Sequence, residues 1–283
     1  MPTFYDSIPA NLSEWIQAQH VFWVATAPLS AEGHINISPK GLRGTFHVVD
    51  ANHVWYEDIT GSGIETISHV RENGRIVIQF NAFDSPPRIV RLWGKGTVYE
   101  FGTPEFEAYL PPDKRHPGAR SVIFVDVHKI SSSCGFGVPY YSFVGARDTL
   151  TKWNTGLERR EQEHALSSPV NDDATPSHAE KGLVAYWLET NMKSIDGLPG
   201  MRSAHLSGKV PESRLVKDGK VIKEENETIV RAKGGVHRAV EVRKETDWVK
   251  LVIAFMLGLM VASIYGRYQS GVMDLLEAFV PSI

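Results

Sequence analysis

Residues Tyr56–Phe80 read YEDITGSGIETISHVRENGRIVIQF, and this stretch decides the fold. A strand ending near Asp58 runs into the turn Thr60-Gly61-Ser62-Gly63. Ile64, Ile67 and Val70 then recur every third residue, the spacing of a short helix with one buried stripe. Asn73-Gly74 supplies the helix stop, because both residues tolerate a left-handed backbone. The next strand starts at once at Arg75. A helix this short, squeezed between two strands, is not the long crossover that a doubly wound parallel sheet requires.

Working outward, the same texture holds on both sides. Upstream, Asn11–Gln19 predicts a short helix capped by Asn11 or Ser13, with Leu12, Trp15 and Ile16 on its apolar face. Val21–Ala27 (VFWVATA) predicts a first strand. GHINISPKG alternates Ile35 and Ile37 with polar neighbours and turns at Pro39–Gly41. Thr45–Val49 and His53–Glu57 form a predicted hairpin closed by Asp50-Ala51-Asn52. Downstream, strands are expected over Arg75–Phe83, over Arg88–Glu100 with a break near Gly94 and Gly96, and over Ser121–Ile130. Strands outnumber helices and the connections are short, so the fold class is mainly β (α+β), a barrel with short flanking helices.

From Lys152 the composition changes. Glu158–Glu163 is a charged, helix-like stretch, and Ser167–Ser177 (SSPVNDDATPS) is a linker by composition. Ala179–Lys193 predicts a helix burying Leu183, Tyr186, Trp187 and Leu188, ending at the turn Asp196–Gly200. Residues 202–247 are dense in Lys, Glu and Arg and are expected to be a disordered tether, having too little apolar surface to offset ordering entropy. Leu251–Tyr265 (LVIAFMLGLMVASIY) carries no charge. At ~1.5 Å per residue it spans about 22 Å. With Trp248 and Tyr268 as interfacial anchors and Lys250 and Arg267 snorkelling, residues 248–268 reach about 31 Å, the thickness of a hydrocarbon core. A transmembrane helix is the favoured reading and a buried packing helix the alternative. Residues 269–283 form a tail.

Composition excludes other classes. The chain has 283 residues and a formal net charge of -3, without the concentrated basic face of a nucleic-acid binder. Cys134 is the only cysteine, so neither an intrachain disulfide nor a cysteine-built metal site can form. A small buried residue in a tight turn is expected there. The opening MPTFYDSIPANLSEWIQ carries acids and lacks the basic start and apolar core of a signal peptide. A cytosol-facing protein follows, attached to a membrane by its C-terminal helix.

The candidate chemistry lies at Lys40 and the glycine turn. Glycines let a backbone approach an oxyanion, the hydroxyls of Thr60, Ser62 and Thr66 can donate, and a helix amino terminus favours negative charge. Lys40, at a strand end in Ser38-Pro39-Lys40-Gly41, can converge on the same anion as a point charge. Arg88 and Arg91 lie three residues apart along a strand and face opposite sides; periodicity does not choose between them. Glu65 and His69, four apart, read as an exposed helix pair rather than a metal site, since no third ligand follows at matching spacing. No catalytic residue and no hydrolase triad emerges.

The strings SPKG, YEDITGSGIETISHVRENGRIVIQF and AFDSPPRIVRLWGKG resemble the pyridoxamine 5′-phosphate oxidase-like family of FMN-binding split β-barrels. SCGFGVP at Ser133–Pro139, FVGARDTL at Phe143–Leu150 and NMKSIDGLPG at Asn191–Gly200 extend the likeness, which covers residues 8–201. It implies an FMN-binding barrel over 8–150, a helical extension over 151–201, and a homodimer with FMN in a groove between subunits. Lys40 then corresponds to a flavin-phosphate contact, Tyr56–Asp58 to the strand edge beside the isoalloxazine, and Thr60, Ser62 and Thr66 to the second phosphate segment, with Arg88 and Arg91 as further candidates. The vitamin-B6 oxidase has Ser-Arg-Lys where this chain has Ser62-Gly63-Ile64, and its substrate segment has no counterpart after Gly200. Two functions follow: an FMN-dependent oxidoreductase acting on a small organic substrate, or a non-catalytic flavin- or haem-binding module on a membrane. Related barrels that take the deazaflavin F420 or haem make those the alternative cofactors.

Overall fold

The computed structural model describes residues 2–167, 177–222 and 256. Its sheet begins with β1 (Thr3–Tyr5), then helix α1 (Ala10–Gln17), β2 (Phe22–Thr26), β3 (Asn36–Lys40), β4 (Phe46–Val48) and β5 (His53–Ile59). Helix α2 (Glu65–Asn73) leads into β6 (Arg75–Asn81) and β7 (Ile89–Glu100); helix α3 (Pro104–Tyr109) precedes the long β8 (Ala119–Ser133). Helices α4 (Thr149–Ser167) and α5 (Leu183–Thr190) follow, then a 3-10 turn at Ala204–Leu206 and the small hairpin β9 (Val216–Lys217) and β10 (Lys220–Val221).

The main sheet runs β3-β2-β6-β7-β8-β5-β4, with β1 added on β8, and the pairings are antiparallel. Strands far apart in that order nevertheless meet through their side chains. Phe22 of β2 lies 5.0 Å from Phe46 of β4 and 5.5 Å from Tyr56 of β5, ring centre to ring centre, and Phe46 lies 5.1 Å from Phe80 of β6. The sheet is therefore curled round its own core, while among the described residues β3 and β4 do not pair. This is a split barrel, and its core is filled by Val24, Val54, Ile78, Val90, Leu92, Ile123 and Val125.

Local chemistry explains the elements. In α2, Ile64, Ile67 and Val70 are buried as the spacing predicts, and Gly74 ends the helix at φ 73° with its N–H on Val70 O. The helix buries more than one stripe, because Thr66, Ser68 and His69 are buried as well. Expected and observed elements differ at several places; α3 is an added helix, and α5 is shorter than expected and leaves Leu188 exposed. The three-residue β1 precedes the first predicted strand; it is too short to carry periodicity. Helix α1 starts behind Pro9, whose carbonyl accepts from Leu12 and Ser13, and neither Asn11 nor Ser13 caps it. The glycines of β7 do not break it: the register shifts once, between Trp93 and Gly94. A Cβ at Gly94 would lie 2.4 Å from Val125 Cγ1 and 2.5 Å from Asp126 O, so the close approach of β8 requires glycine. The charged stretch around Glu158 is part of a longer helix whose Glu158 and Glu161 face inward; Glu161 accepts from the backbone of Ala179 and Val184 at 3.1 and 2.8 Å and so caps α5. Cys134 is exposed, and the adjacent Gly135 is the buried residue of that turn.

The expected tether also begins later than composition suggests. Up to Ile222 the chain is packed on the barrel extension. Glu100 accepts backbone N–H groups of Arg202, Ser203 and Ala204 at 2.7 Å each. Gln162 donates to Pro211 O and Val216 O and accepts from Gly219 N. Backbone hydrogen bonds to buried side chains offset the ordering entropy that apolar area alone would not. Residues 168–176, 223–247 and 248–268, covering most of the linker, the remaining tether and the apolar segment, lie outside the described residues apart from residue 256. Among the described residues no helix is long and apolar enough to cross a membrane.

Candidate functional site

Two chambers meet at the end of β3. The smaller, about 210 Å³, lies between Ser38–Leu42, Glu57, Ile59, the turn at Gly61 and Gly63, Thr66, Arg120 and Leu150. The larger, about 620 Å³, is walled by Ile16–His20, Phe22, Phe46, Phe80 and the 143–146 segment. That is within the range of roughly 300–1,000 Å³ usual for small-molecule sites. Lys40, Gly41 and Leu42 line both. His20 stacks on Phe143 at 3.7 Å and 9°, which fixes the 143–146 segment as the outer wall. The larger chamber holds the cations Lys40 and Arg43 and no carboxylate among its lining residues.

Beneath Lys40 sits a buried ionic floor. Asp58 Oδ1 accepts from Lys40 Nζ at 3.0 Å and Oδ2 from Arg120 Nε at 2.8 Å. Burial pushes the Asp58 carboxyl up, but the Arg120 guanidinium and Lys40 ammonium outweigh it and hold its pKa at about 2. Arg120 also donates to Gly61 O, Gly63 O and Asn191 Oδ1 at 3.2, 2.7 and 2.9 Å. One arginine thus ties β8, the glycine turn and the end of α5 to Asp58. At the wall of the smaller chamber a second cluster, around Glu57, is buried. Glu57 accepts the His116 backbone N–H at 2.7 Å and faces His116 Nδ1 at 2.5 Å. His47 stacks on Trp55 at 3.9 Å, and burial lowers its pKa despite the attraction of Glu57.

The residues expected at the site divide clearly. Lys40 and Thr66 line the smaller chamber, and Asp58 lies directly under Lys40. Thr66 Oγ1 is the acceptor for Asn36 Nδ2 at 3.1 Å. Ser62 is exposed at the tip of the turn. Thr60 is turned inward: its hydroxyl donates to Gly118 O at 2.6 Å and accepts from Trp187 Nε1 at 2.8 Å, so it builds the fold and offers no donor to a ligand. Tyr56 is fully buried against Phe22, with its hydroxyl pKa raised well above 10 by burial and by Asp58, so it supports the wall from behind. Arg88 lies over Trp15 at 5.5 Å, and Arg91 lies on the β7 stretch between Gln79 and Ser131; neither lines either chamber. Glu65 and His69 are not an exposed pair. His69 is buried with Nδ1 3.0 Å from Thr26 Oγ1, while Glu65 accepts from Ile195 N. Among the described residues no group of His, Cys, Asp and Glu is arranged to hold a metal ion.

Arg120, Glu57, His116 and Arg43 are site residues that sequence patterns do not single out. His116 comes from the turn before β8 and Arg120 from the start of that strand, and the pairing of β8 with β5 brings them to Glu57 and Asp58. Glu57 is next to Asp58, and strand alternation sends the two carboxylates to opposite faces.

No family model matches the chain. It is 39% identical over 207 residues to the pyridoxamine 5′-phosphate oxidase family protein ustO of Aspergillus flavus, covering 72% of this chain and 80% of the relative. Among solved structures, HupZ of Group A Streptococcus is 25% identical, with a TM-score of 0.35 over 44% of this chain and 91% of that one. A Clostridium acetobutylicum protein related to general stress protein 26, of the pyridoxinephosphate oxidase family, is 15% identical, with a TM-score of 0.31 over 43% of this chain and 84% of that one.

Proposed function

The chain belongs to the pyridoxamine 5′-phosphate oxidase family, and from that premise we propose that it is an FMN-dependent oxidoreductase whose flavin lies in the groove meeting at Lys40. The observation that carries the reading is the larger chamber: aromatic walls, ligand-sized volume, two cations and no lining carboxylate. Those residues fit an aromatic anion. Lys40 would hold the phosphate with Arg43 at the mouth, and Phe22, Phe46, Phe80 and Phe143 would face the ring and exclude water. Gly41 and Gly44 leave the backbone open to close approach. Bound FMN would supply hydride or electron transfer to and from a small organic substrate, while the protein positions and tunes it.

A second copy of the chain completes the groove in this reading. Ile35, Ile37, Phe136, Tyr140, Tyr141 and Phe143 are each more than half exposed, a set of apolar side chains that a homodimer would cover. Sedimentation of the full chain tests this, and a monomer would oppose it. The apolar sequence of residues 248–268 supports attachment of a cytosol-facing protein to a membrane. Full-length protein that stays in the soluble fraction, unchanged by deletion of everything after Asp247, would oppose that.

Fluorescence titration with FMN and riboflavin tests the cofactor site. Lys40→Ala is expected to weaken FMN binding about tenfold, the value of one charge-assisted hydrogen bond, and to leave riboflavin binding unchanged. Equal FMN affinity in the variant removes Lys40 from the site.

A further inference from the structure

Lys40 and Arg120 share the wall of the smaller chamber with a carboxylate that their chemistry as an anion site does not call for. Glu57 lines that wall and is 3% exposed. Its two oxygens meet one residue, Oε1 the His116 backbone N–H at 2.7 Å and Oε2 the imidazole Nδ1 at 2.5 Å. Asp58 already answers one of the two positive charges of Lys40 and Arg120. With His116 neutral, an ionised Glu57 cancels the other, and Glu65 at the same chamber adds a further negative charge. With His116 protonated, Glu57 and His116 are a neutral pair, and the negative charge left at the chamber is cancelled. The charge an incoming anion meets therefore turns on one proton.

We propose that the smaller chamber is a proton-coupled anion site: an anionic end such as a phosphate monoester enters together with one proton, taken up by the Glu57–His116 pair. The inference rests on the reading that an anionic ligand occupies the groove. The proton comes from solvent and resides on the His116 imidazole against Glu57 Oε2, and no bond of the ligand changes. The pair suits this role because the carboxylate holds the imidazole at 2.5 Å and both side chains are buried. Other charged or titratable groups bear on it from every side. Burial lowers the pKa of His47 from β4, Glu158 from α4 faces Glu57, and Arg115 lies beside Glu158. Asp58, Lys40, Arg120 and Glu65 complete the set.

The test is FMN affinity measured by fluorescence from about pH 6 to about pH 8.5 for the wild type, Glu57→Gln, His116→Asn and Glu158→Gln. The second ionisation of the flavin phosphate, near pH ~6, is common to all four and cancels on comparison. Wild-type affinity is expected to fall with pH, by up to about tenfold per pH unit, relative to Glu57→Gln, which stays tight. His116→Asn should bind weakly throughout, and Glu158→Gln should follow the wild type. Superimposable profiles for wild type and Glu57→Gln overturn the proposal, as does loss of the pH dependence in Glu158→Gln. Failure of every form to bind FMN is a failure of the cofactor reading instead. Sulfate, which does not titrate in this range, then decides the proton coupling by thermal shift. Stabilisation by sulfate that fades with pH in wild type but not in Glu57→Gln supports it, and none at either pH overturns it.

Discussion

Replacing Asp58 by asparagine removes the centre of the ionic floor, and the cost can be worked from its surroundings. In the folded chain Lys40 and Arg120 hold the Asp58 carboxyl at about 2, against an ordinary value of 3.8. At ~1.4 kcal/mol per pH unit, that difference is worth about 2 kcal/mol of stability. Its sign follows from the depressed pKa. The contribution is fully present above pH ~4 and is lost as pH falls toward about 2, where the folded carboxyl takes up a proton. The neutral amide would also leave two cations without their counter-charge, and breaking a buried pair costs ~3–5 kcal/mol. Lys40, 23% exposed at its side chain, can turn to solvent, so the lower end applies. Asp58→Asn is therefore expected to lose about 3 kcal/mol at pH 7, and the gap from wild type should narrow by about 2 kcal/mol as pH falls to about 2. Urea unfolding over that range measures both. A variant within ~0.5 kcal/mol of wild type at pH 7, or a gap that does not change with pH, refutes the assignment of Asp58 as the counter-ion.

Three further outcomes follow from the same geometry. Burial pushes Glu158 up from 4.5 to about 7, against the hydrogen bonds of Ser213 and Gly118 and the attraction of Arg115. A raised acid costs the fold stability as pH rises from ~4.5 to ~7, so in urea unfolding Glu158→Gln should exceed wild type at pH 8 by up to about 3 kcal/mol and match it near pH 4.5. Gly94→Ala should destabilise by about 2–3 kcal/mol in denaturant unfolding, because the new Cβ meets β8 backbone as well as a side chain. Lys40→Ala should separate FMN from riboflavin in fluorescence titration, weakening the first about tenfold and leaving the second unchanged.

How much of this is legible in the sequence depends on whether a residue's partner is near in the chain. The turn-helix-stop of Tyr56–Phe80 is local chemistry, and Ile64, Ile67, Val70 and Gly74 take their expected places. Lys40 is legible as a strand-end cation, and the structure brings it to the chamber wall with Thr66. Thr60 departs from its expected place because the partners of its hydroxyl, Gly118 and Trp187, are distant in sequence, and they turn that hydroxyl away from any ligand. His69 departs for a related reason: the three-residue stripe predicts one buried face, but α2 is packed between β2 and β7. Glu57 and Arg120 are invisible, since nothing in their spacing shows that β5 and β8 pair. The packed order of residues 202–222 escapes composition too, because it is held by side chain-to-backbone hydrogen bonds from Glu100 and Gln162 rather than by apolar area.

The flavin site is tested most directly by the absorbance spectrum of the purified full chain, with mass identification of whatever cofactor is released. Flavin bands and the mass of FMN are the expected result, regained when the stripped protein is incubated with FMN. Protein that is colourless and stays so after that incubation, or a Soret band with haem released, would contradict it.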